Sequence, residues 1–223
     1  VIILAIIVLM VVLVIILNDG TRKIPVQYAQ KVQGRRLVGG QSSSIPLKVN
    51  TAGVIPIIFA QSLLQFPLII SSFVKYNTAG VWAEILKYLN SGNWCSLQQP
   101  KYTIGMLVYI TLVIFFAYFY TSITFNPLMV ADNMKKQGGF IPGIRPGKPT
   151  SDYLTKVLNY IIFIGAVGLT IIGILPYIFN GIFKASVSFG GTSLIIIVSV
   201  ILETMKQIES QMLVRNYKGF LND

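Results

Sequence analysis

Thirty consecutive residues, Tyr102–Ala131, carry no charge. Their centre, Ile104–Phe125, is almost wholly apolar and rich in aromatics, among them Tyr109, Phe115, Phe116, Tyr118, Phe119, Tyr120 and Phe125. A helix needs about 20 apolar residues to cross a hydrocarbon core, so this stretch is long enough to span a membrane. The bland use of its aromatics is lipid contact and anchoring at the interface. Other runs of this kind follow, and together they exclude an ordinary soluble domain.

The rest of the composition agrees. Of 223 residues, 54% are hydrophobic and 11% charged, against about 25% charged in a typical soluble protein. Eighteen Lys and Arg oppose seven Asp and Glu, for a net charge of +11. In a membrane protein such an excess collects in cytoplasmic loops, so nucleic-acid binding is not the first inference. There is no histidine, and Cys95 is the single cysteine. Neither a disulfide framework nor a His- or Cys-built metal site is open to this chain alone.

Val1–Leu17 is 17 apolar residues without interruption, ended by Asn18-Asp19-Gly20. It lacks the basic start and small-residue cleavage site of a signal peptide. It reads as a membrane helix entered part-way, which suggests the later part of a longer protein. Thr21–Asn50 is basic and polar. Ile24-Pro25-Val26-Gln27-Tyr28 and Ile45-Pro46-Leu47-Lys48-Val49 look like extended arms flanking the tip around Arg35 and Arg36, an ordered projecting hairpin. Thr51–Phe73 is a proline-containing helix with Pro56 one turn inside and Pro67 further on. In Val74–Lys101, Val81, Trp82, Ile85, Leu86 and Leu89 recur at helical spacing, as in a short helix lying at the interface. Asp132–Asp152 is a second basic connection that sets Arg145 between Pro/Gly turns. Val157–Phe183 is charge-free, with Gly165, Gly168 and Gly173 on roughly one face, which suits close helix packing. Ala185–Leu202 is charge-free too, and Gly190-Gly191-Thr192-Ser193 suits a capped helix start. Glu203–Asp223 reads as a polar tail in which Glu203 and Lys206 form a solvated i,i+3 pair.

Five spans of alternating direction result. Placing the two basic connections and the tail together puts 14 of the 18 Lys and Arg on one side. The positive-inside rule makes that side cytoplasmic. An odd number of crossings suits one half of an inverted-repeat channel or transporter. No carboxylate, Lys, Arg or His sits near the centre of a span, which weighs against ion-coupled transport. There is no H-E-x-x-H, no nucleophile beside a plausible base and no glycine-rich phosphate loop, so the chain is not read as an enzyme and no cofactor is expected.

What remains is polar and uncharged. Thr51, Gln61, Ser62 and Gln65 lie on one helix, and Gln61 and Gln65 share a face. They either bond to a neighbouring helix or line a watery path. Ile58 and Ile196 fall near mid-membrane. Such a side chain faces lipid or core far more often than a pore, although a ring of them makes a constriction that excludes ions by dewetting. On charge alone, Arg35, Arg36 and Arg145 set topology.

Several longer runs add to this reading. Arg22-Lys23-Ile24-Pro25-Val26-Gln27-Tyr28-Ala29, Gln33-Gly34-Arg35-Arg36, Ile45-Pro46-Leu47-Lys48-Val49-Asn50, Ala52-Gly53-Val54-Ile55-Pro56, Pro142-Gly143-Ile144-Arg145-Pro146-Gly147 and Phe189-Gly190-Gly191-Thr192-Ser193-Leu194 resemble the SecY family, the central subunit of the bacterial protein translocation channel. The resemblance is to the C-terminal half of that family. It implies an all-α polytopic membrane protein whose five transmembrane helices form half of the inverted-repeat channel, with a cytoplasmic β-hairpin-like loop. The helices are expected over 1–17, 51–73, 103–126, 153–179 and 191–211. Segments 18–50, 127–152 and 212–223 are then cytoplasmic, and 74–102 and 180–190 lie outside. Ile58 and Ile196 are implied in the pore ring, and Gln61, Gln65 and Phe66 in the lateral gate. Arg35, Arg36 and Arg145 are implied in docking the ribosome, through rRNA, or the SecA motor. The implied partners are the N-terminal half of SecY, SecE, SecG, secretory and membrane-protein substrates, and lipid, in the cell inner (plasma) membrane. Half of a secondary transporter is the alternative.

Overall fold

The computed structural model describes residues 2–28, 31–33, 36–38, 42–73, 80–94, 100–183 and 191–219. Seven α-helices and five short strands alternate along these residues: α1 (Ile2–Asp19), β1 (Thr21–Tyr28), β2 (Lys31–Gln33), β3 (Arg36–Val38), β4 (Ser42–Lys48), α2 (Ile55–Phe73), α3 (Val81–Leu89), α4 (Ile104–Thr124), α5 (Pro127–Lys136), β5 (Gly139–Phe140), α6 (Lys148–Phe183) and α7 (Gly191–Gly219). The chain is mostly helical rather than wholly so. Among the described residues, three helical stretches are long and apolar enough to cross a membrane: Ile55–Phe73, Lys101–Lys136 and Lys148–Ile178.

The central post is α6. It touches α1, α2, α4, α5 and α7. Its glycines explain how so many neighbours fit. A methyl at Gly165 would lie 2.3 Å from the Val49 carbonyl oxygen, one at Gly168 2.5 Å from Leu17 Cδ1, and one at Gly173 2.7 Å from the Tyr109 hydroxyl. The small-residue face therefore serves three different neighbours: the approach to α2, α1 and α4. Around it, Val14, Ile57, Ala60, Leu64, Tyr109, Val113, Leu169 and Ile172 form the main core.

With 36 residues, α6 is about 54 Å long at ~1.5 Å per residue, against a hydrocarbon core of about 30 Å. Its first turns lie in what the sequence reading assigned to the second basic connection. There they meet a small sheet of order β4-β1-β5. Along β1 the buried residues alternate, Ile24 and Val26 facing inward, and Ile24 pairs with Ile45 across the antiparallel β4. Pro25 is tolerated because β5 pairs with β1 only at Gln27 and Tyr28, beyond the proline. Ile24, Val26, Leu47, Met134, Ile141, Leu154 and Val157 make a second core. β1, β4, β5, α5 and the first turns of α6 thus form one packed unit.

Four features differ from what the sequence alone predicts. Pro56 falls in the first turn of α2, where a missing N–H costs little; the interior proline is Pro67. The span expected over 103–126 ends as α4 at Thr124, but the connection after it begins with a helix, α5, because the Asn126 side chain accepts from the Leu128 and Met129 amides. The expected tail is helical to Gly219. Lys206 pairs with Asp19 of α1 rather than with Glu203, since α1 and α7 pack side by side.

The glycine contacts give a direct test. Gly165→Ala places its methyl against a backbone carbonyl that has no rotamer to change, so we expect a loss of about 1–3 kcal/mol in thermal or denaturant unfolding in detergent. Val167→Ala, on the outward face of the same helix, should stay within ~0.5 kcal/mol by the same measurement.

Candidate functional site

The site is built on α2, whose two faces differ. Pro56, Ile57, Ala60 and Leu64 are buried against the core. Ile58, Ser62, Gln65, Phe66 and Ile69 recur at steps of three and four on an exposed stripe. Ile58 is 37% exposed and Phe66 59%. The Ser62 hydroxyl donates to the Ile58 carbonyl at 2.8 Å. That bond is internal to the helix and lowers the cost of a polar residue on an otherwise apolar stripe.

Gln61 stands at the border of the two faces and does not share the exposure of Gln65. Its amide donates to the Tyr177 hydroxyl of α6 at 2.6 Å. Of the two uses open to it from sequence, bonding to a neighbouring helix is the one seen. Tyr177 is set in an aromatic cluster with Trp94 and Tyr109, at ring separations of 5.2 and 6.1 Å. Trp94 is fixed in turn by donating to the Tyr88 carbonyl at 2.8 Å. A further aromatic contact, Phe59 against Tyr120 at 5.3 Å, ties the outer flank of α2 to α4. The aromatics of α4 therefore divide: Phe115 and Phe119 are exposed, while Tyr109 is core.

Ile196 lies half-buried on α7. One turn further, Ser199 accepts a hydrogen bond of 3.0 Å from the Asn18 amide of α1. The Asn18 oxygen accepts from Asn50, just ahead of α2, at 2.9 Å. Sequence reasoning missed this relay because Asn18-Asp19-Gly20 looks like a plain helix stop. It missed Tyr177 because nothing local marks one tyrosine in an apolar run.

Of the three arginines, the structure describes two. Arg145 is exposed, on a loop pinned at both ends. The Ile144 amide donates to the Ile141 carbonyl at 3.0 Å, and the Thr150 hydroxyl donates to the Arg145 carbonyl at 2.8 Å. Gly143 and Gly147 adopt positive φ values of 82° and 106°, which other residues rarely take. Arg36 opens β3, opposite Gln33 of β2. Arg35 lies outside the described residues, as does Cys95.

Comparison with known proteins gives one result throughout. The SecY family model matches residues 1–205. The chain is 48% identical to a protein translocase subunit SecY of Mycobacterium leprae, over 93% of this chain and 48% of that protein. It is 51% identical to one of Streptomyces coelicolor, over 95% and 47%. The chain thus spans about half the length of the curated relatives it matches. Among solved structures, it superposes on a protein conducting channel with a TM-score of 0.63 at 20% identity, covering 94% of this chain and 49% of that one. A second is a SecY protein studied for how its plug domain holds the translocation channel closed, with a TM-score of 0.62 at 19% identity and the same coverage. On these matches, and with this fold, the chain belongs to the SecY family.

Proposed function

We propose that this chain forms one half of a protein-conducting channel, which passes unfolded polypeptides across a membrane and releases apolar segments sideways into it. The observation that carries the reading is the divided surface of α2. One face is locked into the core, while the opposite face leaves Ile58, Ser62, Gln65 and Phe66 exposed among the described residues. A helix made only for lipid has no need of Gln65 and Ser62. A helix that meets a second half, and parts from it, does.

In this reading α1, α2, α4, α6 and α7 are the five crossings, with the sheet unit in the cytoplasm. Ile58 and Ile196 contribute to a constriction that resists ions by dewetting and yields to a wider polypeptide. Gln65 and Phe66 lie on the gate. Gln61, bound to Tyr177, latches α2 to its own half, so α2 moves with α6 as the halves separate. Arg145, with Arg35 and Arg36 of the first basic connection, docks the ribosome or the SecA motor, since guanidinium groups bind phosphates and carboxylates through several donors. SecE and SecG complete the assembly in the plasma membrane. Half of a small-solute transporter is less well supported, because no charged group lies mid-span.

The deciding experiment arrests a secretory polypeptide in transit with photocrosslinkers at Ile58 and Ile196. Adducts to the nascent chain are expected; adducts confined to lipid and neighbouring helices would reject the channel. Two substitutions in the complete subunit extend the test. Arg145→Glu should slow post-translational export while the subunit still inserts, and an unchanged export rate would remove Arg145 from docking. Ile196→Asn should raise ion leak and allow export with defective signal sequences, because a polar side chain wets the constriction. Unaltered leak and stringency would take Ile196 out of the ring.

A further inference from the structure

An open cleft of about 490 Å³ lies between the lead-in to α2 and the flank of α7. Asn50, Val54 and Ile55 line one side, and Ser199, Val200 and Glu203 the other. On this side of the molecule, the helices bearing Ile58 and Ile196 are held apart. Asn18 of α1 spans the gap. Its nitrogen donates to Ser199 at 3.0 Å and its oxygen accepts from Asn50 at 2.9 Å. An asparagine is suited to this because its single side chain offers both a donor and an acceptor.

The neighbouring residue, Asp19, pairs with Lys206. Ser199 and Lys206 are seven residues apart, two turns along one face of α7, so α1 grips α7 at two heights. The grips differ in strength. Both partners of the ion pair are 51% exposed, and an exposed pair is screened and contributes little. Asn50 is 9% exposed, and its Oδ1 has no partner among the described residues. Its bond to Asn18 therefore satisfies the other end of a buried amide. Removing Asn18 strands that amide, which costs more than the bond itself contributed.

We infer that Asn18 is a positioning residue for the constriction: it brackets the leading end of α2 to α7 and so sets the separation of Ile58 from Ile196. The inference rests on reading those two isoleucines as part of the ring. Ser199 lies one turn from Ile196 on α7, and Asn50 lies five residues before the start of α2, which carries Ile58 in its first turn, so a shift at the first bond moves Ile196 directly and a shift at the second moves the lead-in that places Ile58.

The test uses the complete channel, reconstituted in proteoliposomes, with ion leak of the idle channel as the readout. Ser199→Ala should raise leak about fivefold, the population shift expected from one lost hydrogen bond of ordinary strength, and Asn18→Ala should raise it further, because it removes both bonds and strands the Asn50 amide. The double variant Asn18→Ala/Ser199→Ala should leak no more than Asn18→Ala, because Asn18→Ala already removes the bond that Ser199→Ala removes. Ser199→Thr keeps the hydroxyl and should stay at the wild-type level, as should Lys206→Ala. Unfolding midpoints are measured alongside. If Asn18→Ala does not fold, the Ser199→Ala and Ser199→Thr pair decides. Wild-type leak in the Asn18 and Ser199 variants, with leak in Ile196→Asn, overturns the positioning role and leaves the constriction standing. Wild-type leak in all of them overturns both.

Discussion

Close approach to the backbone of α6 is the constraint on which the rest of the structure depends. Three glycines on this helix admit a carbonyl of the α2 lead-in, a leucine of α1 and a tyrosine of α4. In an apolar surrounding, helices gain little by hiding from solvent that is itself apolar. They associate through dispersion contact and a few polar bonds, and both require the backbones to come near. Bulkier residues at these positions would push α1, α2 and α4 outward, opening voids around Ile57, Tyr109 and Val113, which are now fully buried.

Polar bonds then fix what packing alone leaves free to slide. An apolar interface between two helices tolerates small shifts, because one methyl contact resembles the next. A hydrogen bond in such a setting does not, since losing it leaves a buried polar group unpaired. Gln61 to Tyr177 and the Asn50–Asn18–Ser199 relay act in this way at two places in the bundle. Each joins α2, or the residues just before it, to a different helix. The inner face of α2 is therefore held in register, while its outer face stays exposed among the described residues.

Outside the bundle, the sheet unit solves a separate problem. Two basic connections, each alone too polar to make a core, share one. β5 adds to β1 across more than a hundred residues, and the first turns of α6 supply Leu154 and Val157 to the pocket it closes. The result is a firm base that rises directly from the central helix. A load placed on the Arg145 loop would pass to α6 through packed side chains rather than through slack chain.

Much of this was legible in the order of residues. Charge-free runs can bury their backbone polar groups only as helices in an apolar medium, so α2, α4 and α6 were readable. The paired Ile-Pro arms were readable as strands, because β-branched residues with turn formers between them favour hairpins. The stripe of Ile58, Gln65 and Phe66 follows from helical period alone. Tertiary structure decided the rest. Which of two glutamines one turn apart would turn inward depended on where Tyr177 stood on another helix. Whether Lys206 would pair with Glu203 or Asp19 depended on α1 lying against α7. The third strand and the double role of Asn18 likewise depend on neighbours far away in the chain. Local order fixes the periodicity of an element. The partner that completes a hydrogen bond or fills a glycine notch is set by packing between elements, and no stretch of sequence contains it.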